Sequence, residues 1–333
     1  MIVILFTGGT ISMKLDPATG AAVPALSGEE IMAQVPGLSR IAEVEFEEVS
    51  RLPGPHVTPE TMWRLARRAA AWLERPDVDG LVITHGTDTL EETAYVLDLL
   101  LLSPKPVIIV GAIRTMSEPG WDGPANLLAA VRVAADPASR SRGVLIVMNE
   151  QILTASDAQK IHTEASGSFA APEFGPVGVI DAGTVRYARM APRHGDWHDP
   201  AADAGLRVAR LESNVDLIKA TAGADDRFLR CSLSSGVKGL VIEAMGRGNL
   251  PPTMKPGIEA ARSAQVPVVI ASRYGAGSVQ ERYGYSGGGH DLATLGVIFA
   301  GRLTGLKSRM KLMVALAYTS DDEQLRVIFG ESS

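Results

Sequence analysis

The stretch Met1-Ile-Val-Ile-Leu-Phe-Thr7-Gly8-Gly9-Thr10-Ile11 sets the architecture. A run of consecutive apolar residues suits a parallel strand covered on both faces, and the paired glycines give the backbone freedom for a turn at its carboxyl end. Open α/β sheets bind ligands outside the carboxyl ends of their strands. Thr10 is therefore the first candidate for chemistry, because a hydroxyl on such a turn acts as a nucleophile once a neighbouring group takes its proton. Gly8 and Gly9 shape the turn, and Thr7 reads as structural.

Downstream, the same grammar recurs. Gly80-Leu-Val-Ile-Thr84 reads as a buried strand, His85-Gly86-Thr87-Asp88-Thr89 as a polar turn, and Leu90 to Leu101 as a helix with Glu91 and Glu92 in its first turn, where the helix dipole favours carboxylates. Further strands are expected at Ala42–Val49, Pro106–Val110 and Gly143–Met148, with helices opened by Ser27-Gly-Glu-Glu30 and Thr58-Pro59-Glu60 and another over Ala125–Ala134. Residues 12–30 read as a long loop, and Ala155–Phe169 as a loop carrying Lys160, His162 and Glu164. Strands alternating with helices imply a parallel sheet with right-handed crossovers. Near Met190–Ala204 the composition shifts to Pro, Arg, His, Gly, Asp and Trp, so a linker is expected at 191–212 between domains at 1–190 and 213–333.

Composition narrows the partners. With 46% apolar residues the 333-residue chain can bury two sizeable cores, and its net charge of -6 comes from mixed signs rather than blocks, which argues against nucleic acid or an anionic membrane surface. No apolar run approaches the ~20 residues of a membrane span, and no leader pattern precedes Thr7, so a cytoplasmic protein acting on a small molecule is expected. Cys231 is the only cysteine, which excludes an intrachain disulfide and a multi-cysteine metal site, and a buried structural thiol is the favoured reading. No histidine pair has metal-ligand spacing, and His85 and His162 read as residues that orient turns. Thr7-Gly-Gly-Thr10 lacks the spacing of a dinucleotide-binding fingerprint.

Taken singly, each threonine-rich turn is an ordinary bend, Asp88 an ordinary helix cap and Lys160 an ordinary loop lysine. Together, Thr7-Gly-Gly-Thr10-Ile, His85-Gly-Thr87-Asp88-Thr89-Leu-Glu-Glu-Thr93 and Asp122-Gly-Pro-Ala-Asn126-Leu resemble the bacterial-type L-asparaginase and glutaminase family, as do Gly246-Arg-Gly-Asn249-Leu-Pro and Gly301-Arg-Leu-Thr304-Gly-Leu-Lys307-Ser-Arg309 further on. The resemblance implies a larger N-terminal flavodoxin-like parallel-sheet domain, a smaller C-terminal α/β domain, and a homo-oligomer, dimer or tetramer, with shared sites. It implies hydrolysis of asparagine to aspartate and ammonia without metal or organic cofactor. Thr10 matches the acylating nucleophile, Thr87 the second catalytic threonine, Asp88 the carboxylate that holds the substrate's α-ammonium, and Lys160 the lysine that works with both. Gly9, Gly54, Pro55, His56, Gly86 and Asn249 fall at substrate-binding positions.

The chain departs from the family's pattern at three places. Residues 12–30 contain no tyrosine, with Ala22 near the position from which family members activate the nucleophile; Lys14, Lys160 or a group from a neighbouring subunit are the candidates to replace it. Gly54-Pro55-His56 replaces a serine and a polar neighbour, which removes hydrogen bonds worth roughly 1.5–3 kcal/mol each to the α-groups of free asparagine. The segment Gln280-Glu281-Arg-Tyr283 stands where some members donate an acidic residue across a dimer. These departures leave open another small amide, lactam or imide as substrate, or a non-catalytic amino-acid-binding relative.

Overall fold

A computed structural model describes residues 1–190 and 205–330, which divide into two compact units, the first comprising 1–190 with 205–206 and the second running from 207 onward. Residues 191–204 of the expected linker lie outside the described residues.

In the first unit, strand β1 (Ile2–Gly8) is buried at every residue. Successive side chains of a strand point to opposite faces, so both faces of β1 are covered. It is followed by β2 (Met13–Leu15), β3 (Ala22–Pro24), helix α1 (Gly28–Ala33), β4 (Val44–Leu52), α2 (Pro59–Glu74), β5 (Gly80–Thr84), α3 (Leu90–Leu100), β6 (Val107–Val110), α4 (Gly123–Ala135) and β7 (Val144–Met148). After these come β8 (Gln151–Thr154), β9 (Gln159–Lys160), β10 (Phe169–Ala170), β11 (Gly178–Asp181) and β12 (Thr184–Tyr187). The main sheet has the order β12-β11-β8-β7-β6-β5-β1-β4. Its β4-β1-β5-β6-β7 portion is parallel, in the 2-1-3-4-5 order of flavodoxin-like sheets. The chain first runs outward to β4 and then back across β1 to β5, so the topological switch point lies between β1 and β5, where the two threonine-rich turns emerge.

The expected parallel sheet is extended at one edge, where β8, β11 and β12 run antiparallel to their neighbours. These are short strands without long apolar runs; tight turns join β7 to β8 and β11 to β12, and the segment carrying β9 and β10, not a crossover helix, joins β8 to β11. Residues 12–30 are also not a bare loop. Met13–Leu15 pairs with Ala22–Pro24 in a hairpin whose tip is folded on the Asp16 carboxylate, which accepts from Ala18 N and Thr19 N. The hairpin is tied to the loop after β6 by Met116 N to Met13 O at 3.1 Å and Leu15 N to Ser117 Oγ at 3.0 Å.

The helices form where their ends and faces dictate. Ser27 and Glu30 close a reciprocal capping box on α1, and Thr58 does the same on α2 with Thr61 rather than an acidic residue. The α2 helix buries Met62, Leu65, Ala66, Ala69 and Leu73 at helical spacing, whereas α3 is buried nearly all round.

The second unit is a four-stranded parallel sheet in the order β13 (Val215–Lys219), β14 (Gly239–Ala244), β15 (Val268–Ser272), β16 (Ile298–Thr304). It is accompanied by α5 (Arg227–Ser234), α6 (Lys255–Ser263), α7 (Gly289–Ala293), α8 (Gly305–Tyr318) and α9 (Asp322–Gly330). Its core packs Leu240, Ile242 and Ile270 against Leu229, Ile258 and Leu292. Cys231 is exposed on α5 rather than buried, because that helix turns Leu229 and Ser232 inward instead.

Candidate active site

Three adjacent parallel strands, β4, β1 and β5, end side by side, and the turns that follow them meet backbone to backbone. Gly9 has φ 83° and ψ -177°, a conformation that is essentially reserved for glycine. A Cβ built there would lie 2.4 Å from Gly86 Cα, and one built on Gly86 would lie 2.7 Å from Gly54 Cα. These glycines are thus the contact surfaces that let the turns approach. Gly9→Ala is expected to cost about 3 kcal/mol, combining the disallowed backbone region with a collision against a neighbouring backbone; an unchanged urea midpoint would refute this.

Thr10 follows as the first residue of a single 3-10 turn, half-buried, with Ser12 fastening that turn by donating from its N–H (3.0 Å) and Oγ (2.8 Å) to the Gly9 carbonyl. Beneath it, Thr7 donates its hydroxyl to the Thr84 carbonyl at 2.5 Å, stitching β1 to β5. Thr7 therefore has a structural bond and no free proton for chemistry.

At the end of β5 the structure brings Thr87, Asp88 and Lys160 together. Lys160 Nζ donates to Thr87 Oγ1 at 3.0 Å and to Asp88 Oδ1 at 2.6 Å. The Lys160 side chain is 17% exposed and that of Asp88 57%, so the carboxylate reaches from a sheltered lysine toward solvent. Asp88 is not the cap of α3. That position belongs to Thr89, whose hydroxyl instead donates to Gly54 O at 2.9 Å and ties the second and third turns together. Lys160 is held by its own backbone, pairing with Phe169 across β9 and β10 and donating its N–H to Glu91 Oε1 at 3.1 Å. Glu91 is buried in the first turn of α3, so it serves as a hydrogen-bond acceptor as well as a carboxylate at the helix dipole. The available signal is a pair of carboxylates, Glu91 and Glu92, in the first turn of a helix that is otherwise mostly apolar.

His85 is buried and anchors the same turn. Because a carbonyl only accepts, its Nδ1–H donates to Gly86 O at 2.9 Å, and Nε2 then accepts from the Thr93 hydroxyl at 2.9 Å. Burial lowers its pKa from 6.5 to about 4, against a smaller upward pull from the Gly86 carbonyl. Unfolded His85 binds a proton through that interval and folded His85 does not, so its contribution is complete above pH 6.5 and is lost as the pH falls toward 4, by up to about 3 kcal/mol. Urea unfolding at pH 7 and pH 4.5 should show this loss in the wild type and a shallower one in His85→Gln; identical slopes would exclude His85 as the source. His162 also orients a turn, its Nδ1 accepting from Glu164 N and Ala165 N.

The Asp122-Gly-Pro-Ala-Asn126 stretch clamps the loop after β6. Asp122 accepts from Ile113 N and Arg114 N, while Asn126 donates to Gly111 O and accepts from Asn149 N. In the Gly54–His56 turn, Gly54 is buried beside Asp88, and Pro55 and His56 are exposed. Within the turn His56 N donates to Pro53 O and Pro55 has no N–H, while Val57 N just beyond it donates to Gly54 O. In the second unit, Asn249 closes a turn by exchanging two backbone hydrogen bonds with Met245 at 2.9 Å each, and among the described residues its Oδ1 is buried without a partner. Glu281 is exposed, and Tyr283 stands beside Tyr285 with ring centres 5.7 Å apart. Among the described residues no three His, Cys, Asp or Glu side chains are grouped to hold a metal ion.

The arrangement thus offers one hydroxyl on the turn after β1, and on the adjoining turn a hydroxyl and a carboxylate in hydrogen-bond contact with an ammonium supplied from β9. Such groups can attack a carbonyl carbon, move a proton and hold a cationic substrate group. Residues 1–193 match the family model "Asparaginase, N-terminal", and residues 214–329 match "Glutaminase/Asparaginase C-terminal domain". The chain is 34% identical to an L-asparaginase of Bacillus licheniformis, covering 95% of each chain. It is 35% identical to a probable periplasmic L-asparaginase of Haemophilus influenzae, over 99% of this chain and 92% of that one. The solved structure of a probable cytoplasmic L-asparaginase from Campylobacter jejuni superposes with a TM-score of 0.88 at 30% identity, over 98% of both chains.

Proposed function

The chain belongs to the asparaginase family in both its N- and C-terminal portions, and from that premise we propose that it is an amidohydrolase that converts asparagine to aspartate and ammonia through a threonine acyl-enzyme. Thr10 Oγ attacks the side-chain amide carbon, its proton passes by way of Thr87 and Lys160 to the departing nitrogen, and ammonia leaves with the acyl group esterified to Thr10. A water then adds to the ester carbon, gives its proton to the same pair, and releases aspartate with Thr10 restored. Asp88 holds the α-ammonium, with Gly9, Gly54 and Gly86 allowing close approach. The single observation that carries this reading is the Lys160 ammonium shared between Thr87 Oγ1 and Asp88 Oδ1, which joins a proton-transfer group to a cation-binding group.

Incubation with asparagine should release ammonia and aspartate in equal amounts; binding of asparagine without ammonia release would make the chain an amino-acid sensor instead. The Gly54–His56 turn, with no hydroxyl side chain, no N–H on Pro55 and His56 N already donated to Pro53 O, favours a second reading on the same machinery, a small amide, lactam or imide lacking a free α-carboxylate, which a panel of such amides would reveal by faster turnover than asparagine. A cytoplasmic homo-oligomer, dimer or tetramer with sites completed by Asn249 and by Glu281 or Tyr283, forms part of the proposal. Light scattering that returned the mass of one chain would remove it.

A further inference from the structure

A concavity of about 380 Å³ lies in the first unit, beside α2 and lined by none of Thr10, Asp88 and Lys160. Leu52, Val57, Met62 and Leu65 give it apolar walls, and Ser50, His85 and Thr93 supply polar groups. The polar groups have a definite sense. Ser50 Oγ donates its proton to Thr7 O at 2.8 Å, and Thr93 gives its own to His85 Nε2 at 2.9 Å. Both hydroxyl protons are turned into the protein; Thr93 is fully buried, so the half-buried Ser50 oxygen, left with only lone pairs, is the acceptor offered to a visitor. Arg64, loosely paired with Glu60 at 3.4 Å with both side chains well exposed, adds a cation that can sit over an aromatic face.

We propose that this cavity is a binding site for a flat, largely apolar aromatic molecule carrying one N–H or O–H donor, of the indole or phenol class. Its volume lies within the range of small-molecule sites, and its chemistry is that of an apolar pocket with one oriented acceptor. The cavity is coupled to the candidate active site by the residues it touches. Thr7, Leu52 and His85 line it, and Gly9, Gly54 and Gly86 follow within two residues of each; Gly9 N also donates to Leu52 O at 3.0 Å. A molecule seated here presses on all three strand ends that position the catalytic turns, and its occupancy is expected to change turnover.

Calorimetry with indole as the probe tests the site directly. One-site binding at millimolar indole is expected, with binding to 1-methylindole, which has lost the donor, weakened about tenfold. Val49→Phe, which fills the cavity from β4, should abolish binding while the thermal transition is retained. Ser50→Ala should weaken indole but leave 1-methylindole unchanged, which keeps the test decisive if Val49→Phe does not fold. Absence of heat with wild-type protein, or equal binding by the filled variant, overturns the site; equal binding of the two ligands overturns the donor assignment. The effect on ammonia release rests on the proposed amidohydrolase activity, whereas the heat of binding does not, so failure of one is distinguishable from failure of the other.

Discussion

Thr10→Ala is expected to lower ammonia release from asparagine by about 10⁴-fold or more while leaving the fold intact. The size follows from what the hydroxyl does in the proposed path. Without it no ester forms, and the remaining groups supply only binding and polarisation, so the residual rate falls by the amount typical of a lost nucleophile. The intact fold follows from its surroundings. The 3-10 turn is fastened by Ser12 to Gly9 O, and among the described residues the Thr10 hydroxyl makes no hydrogen bond. Removing it therefore leaves no buried partner unsatisfied. Thr10→Ser, which keeps the oxygen, should retain much of the activity. The measurement is coupled ammonia detection at saturating asparagine, with the thermal transition recorded on the same samples. Turnover within tenfold of wild type in Thr10→Ala would remove the acyl-enzyme on this residue and direct attention to Thr87.

The sequence made some of this legible and hid the rest for identifiable reasons. The runs at Ile2–Phe6 and Gly80–Thr84 read as buried strands because a strand covered on both faces has no polar face to interrupt the pattern. The Ser27 capping box is visible because it is local, with both partners three residues apart. By contrast, β8, β11 and β12 take their identity from antiparallel neighbours, and four-residue strands offer too few residues for a period to register. The Met13–Leu15 and Ala22–Pro24 hairpin escapes for the same reason. In the candidate site, residue types and turns could be read, but their meeting depends on sheet order. Nothing local brings Gly9, Gly54 and Gly86 into contact; the 2-1-3-4-5 order does, by making their strands neighbours. The role of Glu91, accepting from Lys160 N, is not legible locally because it joins residues far apart in the chain. Cys231 misled because a lone cysteine is usually buried, and only the facing of α5 shows that this one is not.

Lys160→Met tests the other half of the machinery and carries the second large effect, a fall in kcat of about 10²–10⁴-fold, the range for loss of a positioned proton-transfer group. Stability should change little, because the Asp88 carboxylate on the far side of the pair is more than half exposed, and solvent screens such a bond. The split between constants is the informative part. Asp88 loses its cationic partner but keeps its exposure, so substrate ammonium can still reach it and KM should move far less than kcat. A variant impaired only in KM would make Lys160 a binding residue and break the proposed proton route. Lys160→Arg separates charge from proton transfer. Guanidinium can preserve the contact with Asp88, yet it does not deprotonate in proteins and cannot pass a proton through Thr87. Arginine should therefore restore KM toward wild type without restoring kcat; recovery of kcat would show that Lys160 acts as a fixed positive charge, and that the proton leaving Thr10 travels by another path.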